Sequence, residues 1–386
     1  MNLRETNTKK LEKHLLECPE IREFREGMKA KHGFDPMTDT EKFPVMKEGF
    51  SWKKLESKLR EADAAGSFQQ FLRAGVQAIT NGMYMATPTT FEDWVTVVPS
   101  SKDTELYAPM HGIAFPSEVG PSQVYPEVGA AALDMQLKNR KFGSIYAIER
   151  ELLNDDQVGV FQQQAGMLGQ YMKILQEVWV YGKLASESAM SYQALSIPVS
   201  ETKPSYETNY PWSTALRGGG ANRPAAYAAL GQAAIQNAFI ALANQKNLQG
   251  IKMSVAPSRI LASFKYRFDL AVLLNSGYYP SGAAAAGATG GAFAINPIQG
   301  IADVSYSRYM FSNAGTPSAD SKAWYLIDDS KPWFVMQVRE GVTVETEAPN
   351  AGESFNRDHV RFKARSRFNA DHIDPRFAWK GSDGSI

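Results

Sequence analysis

Adjacent carboxylates are a natural place to look for acid–base chemistry, and the chain has two such pairs, Asp155–Asp156 and Asp328–Asp329. Neither needs catalysis to explain it. Asp155 and Asp156 stand where a long apolar-periodic segment begins, and carboxylates there complement the helix dipole. Asp328 and Asp329 lie in an Asp-Asp-Ser-Lys-Pro stretch, where Asp is a turn residue. His14 and Cys18 are four apart, which is metal-ligand spacing on a helix, but no third ligand stands near them. The five histidines, His14, His32, His111, His359 and His372, are scattered and define no Ser-His-Asp arrangement. Gly218, Gly219 and Gly220 precede a helical segment, and helix N-termini bind phosphate. The Lys followed by Ser or Thr of a Walker loop is missing, so the triplet reads as a structural loop. The sequence therefore predicts no catalytic residue, no cofactor and no metal, and the chain is not read as an enzyme.

One row of like charge remains. Val360, Phe362 and Ala364 alternate with Arg361, Lys363, Arg365 and Arg367. Period two puts the apolar set on one face of a strand and the cations on the other. The row has two readings. It pairs across strands with Glu345, Glu347 or a neighbouring subunit's acids, or it faces nucleic-acid phosphate without base specificity.

The elements that would position these residues differ along the chain. Charged residues number 28 in the first 80 and 54 in the other 306. In that first stretch the signs are mixed, and Leu11 and Leu15, then Ile21, Phe24 and Met28, keep helical spacing around Pro19. Trp52 to Ala65 carries a similar narrow stripe of Leu55, Leu59 and Ala62. The segment reads as an arm, ordered by partners or other copies. Val95, Val97 and Val98 predict a short strand. A Gly-, Pro- and Ser-rich loop runs from His111 to Pro126, and Leu133, Met135 and Leu137 then alternate with polar residues. Together they predict a long β-hairpin with little core of its own.

Asn154 and Gln157 supply a capping box for the longest helix. Phe161, Ala165, Leu168, Met172, Leu175 and Trp179 recur at steps of four and three, flanked by a second apolar stripe. From Asp155 to Leu184 this helix would span roughly 45 Å, a structural strut. Further on, Asn222 and Pro224 signal an Ala-rich helix ending before Gly250. Ile251 to Val255 reads as a strand, and Pro257 opens a helix containing Ile260, Leu261, Phe264, Phe268 and Leu273. Gly282 to Gly291 is a loop, and Ile301 to Tyr309 is extended. Ala323 to Ile327, Trp333 to Val338 and Val342 to Glu347 are strands separated by turns, the last turn at Arg-Glu-Gly.

The 386 residues carry 41 Lys and Arg against 41 Asp and Glu, so formal net charge is zero. That excludes a chain that coats nucleic acid with its whole surface and leaves little electrostatic resistance to self-association. The single cysteine, Cys18, excludes an intramolecular disulfide framework. No apolar run reaches the roughly 18 residues of a membrane span, and Met1 to Lys10 lacks the apolar stretch of a signal peptide.

In this order of elements the sequence resembles the major capsid proteins of tailed phages, with the Hong Kong 97-type fold. The resemblance rests on Ile145-Tyr-Ala-Ile-Glu-Arg-Glu-Leu-Leu-Asn-Asp-Asp156, a short extended segment, a Glu-Leu-Leu-x-Asp turn and the start of a "spine" helix. It rests also on Ile251 to Phe268, on Ala323-Trp-Tyr-Leu-Ile-Asp328 and on Val360 to Ser382. It covers about residues 90–382. Asp374-Pro-Arg-Phe-Ala-Trp-Lys380 departs from the family's endings. The resemblance implies an α+β fold with an N-terminal arm (1–85), an extended loop and its flanking strands (86–150), the spine helix of a peripheral domain (151–185), an axial α/β domain (186–325) and returning peripheral strands (326–386). Phe161, Leu168, Met172, Leu175 and Trp179 would pack the spine helix.

The implied function is a virion shell of hexamers and pentamers around double-stranded DNA, made in the bacterial host cytoplasm. Its partners would be copies of itself, the packaged DNA and a portal protein, with scaffold and decoration proteins as further candidates. The start at Met1 predicts an uncleaved arm. The tip, Gly112 to Pro126, holds no Lys, while Lys102 and Lys138 lie nearer the base, so no Lys–Asn cross-link between subunits is expected. Two alternatives stand beside this one: an encapsulin-like cargo compartment of the same fold, whose chains are typically shorter and lack a charged arm, and a soluble α/β enzyme.

Overall fold

The computed structural model describes residues 76, 78–107, 110–113, 115–125, 127, 130–132, 135–149, 160–185, 190–192, 195–198, 200, 211–216, 219–226, 230–280, 293–310, 323–347 and 359–382. Helix α1 (78–86) leads to β1 (Thr96–Pro99). A nested antiparallel hairpin follows: β2 (Thr104–Tyr107), β3 (Met110–Ile113), β4 (Ala130–Ala132) and β5 (Met135–Lys138), with β2 on β5 and β3 on β4. Then come β6 (Arg140–Glu149), α2 (Val160–Ala185), β7 (Met190–Tyr192), β8 (Leu195–Ile197) and α3 (Gln232–Ala243). The rest runs β9 (Arg259–Ser263), α4 (Arg267–Asn275), β10 (Tyr278–Pro280), β11 (Phe293–Ile295), β12 (Asp303–Ser307), β13 (Ala323–Ile327), β14 (Phe334–Thr346), β15 (His359–His372) and β16 (Ala378–Ser382). The fold is mixed α+β.

The chain divides into two compact units. One comprises Met1–Thr89, Arg140–Gln176 and Glu340–Phe368, the other Thr90–Asn139, Glu177–Arg339 and Asn369–Ile386. In the first, β15 pairs antiparallel with β6, Phe362 opposite Tyr146, and β14 lies on its other side. Phe362 and Ala364 turn their face to Val344, Ala165 and Met172, with Leu168, Leu175 and Tyr146 packed around them. Met172 is buried and Leu168 and Leu175 are partly buried against this core; Phe161 stands in the first turns of α2, and its side chain lies outside the described residues. Helix α1 crosses α2 closely: Thr80 Oγ1 donates to the Ala165 carbonyl at 3.1 Å, and Tyr84 Oη to Gln176 Oε1 at 2.8 Å.

The second unit is built on a four-stranded sheet in the order β12-β9-β13-β16. β9 runs parallel to β12 and antiparallel to β13. Ile235, Leu242, Ile260, Leu270, Leu274, Trp324 and Leu326 form its core. Gly381 on β16 lies against Trp324 so closely that a Cβ there would fall 2.1 Å from the indole. Trp179, which the α2 periodicity marks for burial, is buried here, and its indole N–H donates to Asn369 Oδ1 at 2.8 Å.

Several elements differ from the sequence expectation. Pro257 opens no helix: Ile260 and Leu261 lie in β9, and the helix begins only at Arg267. An apolar run of this length suits either element, and two flanking strands decide for β. Ile251 to Val255 is no strand and holds only an isolated bridge, Lys246 to Lys252. The Ala-rich helix starts at Gln232 with Gly231 at its N-cap. Asn222 is instead a buried clamp: its amide donates to the carbonyls of Pro211 and Pro375, and its carbonyl accepts from the Ser213 N–H. Arg339-Glu340-Gly341 makes no turn, because β14 passes through it. The loop read from His111 starts later, since β3 runs to Ile113. Asp374-Pro-Arg-Phe forms a short 3-10 turn, Asp374 Oδ1 accepting from the Arg376 N–H, which sends the chain into β16. The expected arm, the Asn154–Gln157 cap, Asp155–Asp156 and the Gly282–Gly291 loop lie outside the described residues.

Candidate functional site

The basic row forms because β15 alternates strictly over Arg361–Phe368: half-buried cations on one face, and Phe362, Ala364, Ser366 and Phe368 buried on the other. β14 supplies acids opposite the cations. Lys363 Nζ lies 2.5 Å from Glu345 Oε2, and Arg361 Nε lies 3.9 Å from Glu347 Oε2. Glu340 accepts from both Arg365 and Arg367, the latter at 3.5 Å. The hydrogen bond from Arg365, then the two guanidinium charges, hold the Glu340 carboxyl below its ordinary pKa. Four cations thus meet three carboxylates within one subunit. Glu345 and Glu347 are partners the sequence suggested. Glu340 was hidden in an apparent turn.

A second charged group is fully enclosed. Lys183 near the end of α2 and Asp371 on β15 are both buried, Nζ to Oδ2 at 3.4 Å. Asp371 Oδ1 accepts from Ser200 Oγ at 2.6 Å and from the His372 N–H at 2.9 Å. The His372 ring is buried among Trp212, Trp333 and Phe334, with centroids 4.9 to 5.9 Å away. Burial alone would raise the Asp371 pKa. The Lys183 charge and the donors around the carboxylate outweigh it and hold the group well below the usual range. For His372, burial lowers the pKa against the pull of Asp371. The types suggest a hydrolase relay but their order does not: the serine donates to the carboxylate rather than to the imidazole. The group is a buried ionic hub. Sequence reading missed it. The signal was Lys183 standing alone in the apolar run Val178–Leu184.

Other candidates resolve simply. Gly219 and Gly220 take positive φ in a turn closed by Leu216 and Gly220, remote from the first residue of α3. Asp328 caps its own turn at Ser330, and Asp329 pairs with Arg259 at 3.1 Å. His14 and Cys18 lie outside the described residues. Among the described residues no group of three or more His, Cys, Asp or Glu could hold a metal ion, and no helix is long and apolar enough to cross a membrane.

Three exposed apolar side chains stand at the end of the nested hairpin. Phe115, Val124 and Tyr125 are 76%, 92% and 80% exposed. Lone surface apolar residues are ordinary, but several such side chains in one loop mark a surface that meets a partner. From Gly112 to Glu127 the loop carries Glu118 and Glu127 and no Lys or Arg.

Residues 134–381 match the phage capsid protein family, and residues 69–194 match the Mu-like prophage major head subunit gpT. No curated protein matches the chain. Among solved structures, the capsid of a native GTA particle has 12% identity and a TM-score of 0.52, covering 77% of this chain and 90% of that one. The capsid of the empty GTA particle gives 12% identity and a TM-score of 0.50 over the same shares. A chain from Mycobacterium phage Bobi gives 17% identity and a TM-score of 0.46, covering 77% of this chain and 91% of that one.

Proposed function

The chain belongs to the phage capsid protein family, and from that premise we propose that it builds the head of a tailed phage by closing hexamers and pentamers around double-stranded DNA. The observation that carries the proposal is the extent of the family match, residues 134–381, which takes in most of the described residues of both compact units. Many weak contacts repeated by symmetry then add up to a closed shell. Zero net charge lets copies approach without strong mutual repulsion.

In this reading residues 1–85 are the arm, and the nested hairpin is the extended loop whose exposed Phe115, Val124 and Tyr125 meet a neighbour. α2 with the terminal strands forms the peripheral domain, and 186–325 the axial domain. The basic row acts chiefly as a clamp between β14 and β15, since three carboxylates already face its four cations. A single strand face is a small footprint for DNA.

The test is electron microscopy and light scattering of the purified full chain. Closed shells are expected. A chain that stays monomeric under every assembly condition tried would overturn the proposal. Nuclease-protected DNA inside shells made during infection supports a phage head, whereas an enclosed enzyme would place the chain with cargo compartments.

A further inference from the structure

β9 and β12 run parallel with Ser263 opposite Ser307, so the residues that follow them, Phe264 and Arg308, leave the sheet side by side. Phe264 opens the 3-10 turn Phe264–Tyr266, which leads into α4. Two guanidiniums close on its ring: the Arg267 and Arg308 guanidinium carbons each lie 5.5 Å from the centroid. Tyr306 flanks the ring at 6.1 Å, and its hydroxyl donates to the Arg267 carbonyl at 3.4 Å. Lys265 stands on the same turn, its Nζ 5.6 Å from the Tyr266 ring. Lys265, Arg267 and Arg308 are all exposed. Apolar surface adjoins them. Phe264, Phe268 and Val272, spaced by four along the outside, are 39%, 79% and 59% exposed, while Leu270, Leu273 and Leu274 enter the core.

These cations differ from the row on β15, which faces three carboxylates. Among the described residues none of the three forms an ion pair with a carboxylate. Asp269, the only acid from Phe264 to Asn275, lies on the Lys265 side and offsets one charge. Glu177 also feels the Arg308 charge, but it is buried and accepts from Ser307 Oγ at 3.5 Å. A positive excess therefore stands in water beside exposed aromatic rings.

We propose that this patch binds single-stranded nucleic acid, a base stacking on Phe268 and the phosphates flanking that base meeting Arg267, Arg308 and Lys265. Cations beside exposed aromatic rings hold a strand without reading its sequence, because every base has a π-face and every nucleotide a phosphate. A duplex keeps its base faces stacked inside and would leave Phe268 and Val272 in water. An acidic peptide would answer the charges and supply no matching ring. One subunit carries the whole patch, so the inference goes beyond the shell reading and stands without it.

The test is fluorescence anisotropy of a labelled oligo(dT) titrated with the full chain, kept unassembled as checked by light scattering. The variants are Phe268→Leu and the double change Arg267→Gln/Arg308→Gln. All three side chains are exposed, and near-ultraviolet circular dichroism checks each fold. Phe268→Leu keeps apolar bulk and loses the ring, so it should weaken binding by about five-fold or more. The double change should weaken binding and reduce the salt slope by about 0.7 for each cation removed. Ultraviolet cross-linking with peptide mapping should place an oligo(dT) adduct on Phe264 or Phe268. The stretch before Val76 carries Lys and Arg of its own, so the comparison of parent with variants decides, not the absolute affinity. Adducts confined to that stretch, or a duplex of the same length bound as tightly as the single strand, would overturn the site. If Phe268→Leu binds oligo(dT) as the parent does and instead weakens association between copies, the face is a subunit interface and the proposal falls. Failure of the chain to form shells would remove the shell reading and leave the binding result standing.

Discussion

Lys183 and Asp371 illustrate how much a buried pair depends on both members. Each is closed off from water, and the carboxylate keeps its charge because the ammonium, Ser200 and the His372 backbone N–H surround it. Replacing Lys183 with Met leaves that charge without its main partner, so the subunit should lose about 3–5 kcal/mol, measured by urea unfolding of unassembled protein. A loss below about 1 kcal/mol would mean that the hub contributes little. The neighbouring imidazole gives a pH dependence of known sign. His372 has a lowered pKa in the fold, burial outweighing Asp371, with Lys183 and Lys380 adding to the lowering. The unfolded chain then binds the proton more readily than the folded one. The stabilisation is complete above the unfolded value of roughly 6.5 and is lost as pH falls from there toward the folded value. Asp371 has the same sign in a lower window, beginning near pH 4, the ordinary Asp range. His372→Gln should flatten the slope of subunit stability between about pH 6.5 and 5 while leaving the acid limb below pH 4 in place. An unchanged slope would assign the dependence to other groups.

At the scale of elements, the crossing of α1 over α2 turns on one missing side chain. A Cβ at Gly169 would sit 2.0 Å from the Thr80 carbonyl oxygen, a backbone atom that cannot swing away. Gly169→Ala should force the helices apart, straining the Thr80–Ala165 and Tyr84–Gln176 hydrogen bonds, and destabilise the subunit by about 1–3 kcal/mol in thermal unfolding. Parental melting would show that the crossing yields freely. The same crossing shows where sequence is informative. α2 was legible because its apolar stripe runs unbroken through Leu168, Met172, Leu175 and Trp179, and β15 because Arg361 to Arg367 alternates without a slip. Which residues of α1 meet α2 was not legible, since Thr80 and Ala165 are 85 residues apart. β9 was misread because Ile260 and Leu261 follow a proline, and the strands that hold it extended, β12 and β13, come later in the chain. β14 was split because Gly341 resembles a turn residue, although its pairing with β15 carries the strand through. The basic row could be read from its period of two, whereas the hub could not, because Ser200 and Asp371 are 171 residues apart.

For the whole molecule the balance of charge matters more than any one pair. Forty-one cations meet 41 anions, yet 28 of the first 80 residues are charged. Mixed signs at close range in that stretch suit pairing with other copies of the chain. Replacing the Lys, Arg, Asp and Glu before Val76 with Gln and Ser should leave the melting of the unassembled subunit close to the parent's and sharply reduce closed shells in electron micrographs. Pairing of this kind is screened, so parental assembly should also weaken as salt rises toward 1 M, where the Debye length falls to about 3 Å. Normal shells from the neutralised chain, at parental yield and with the same salt response, would place the assembly contacts in the residues from Val76 onward rather than in the charged stretch before it.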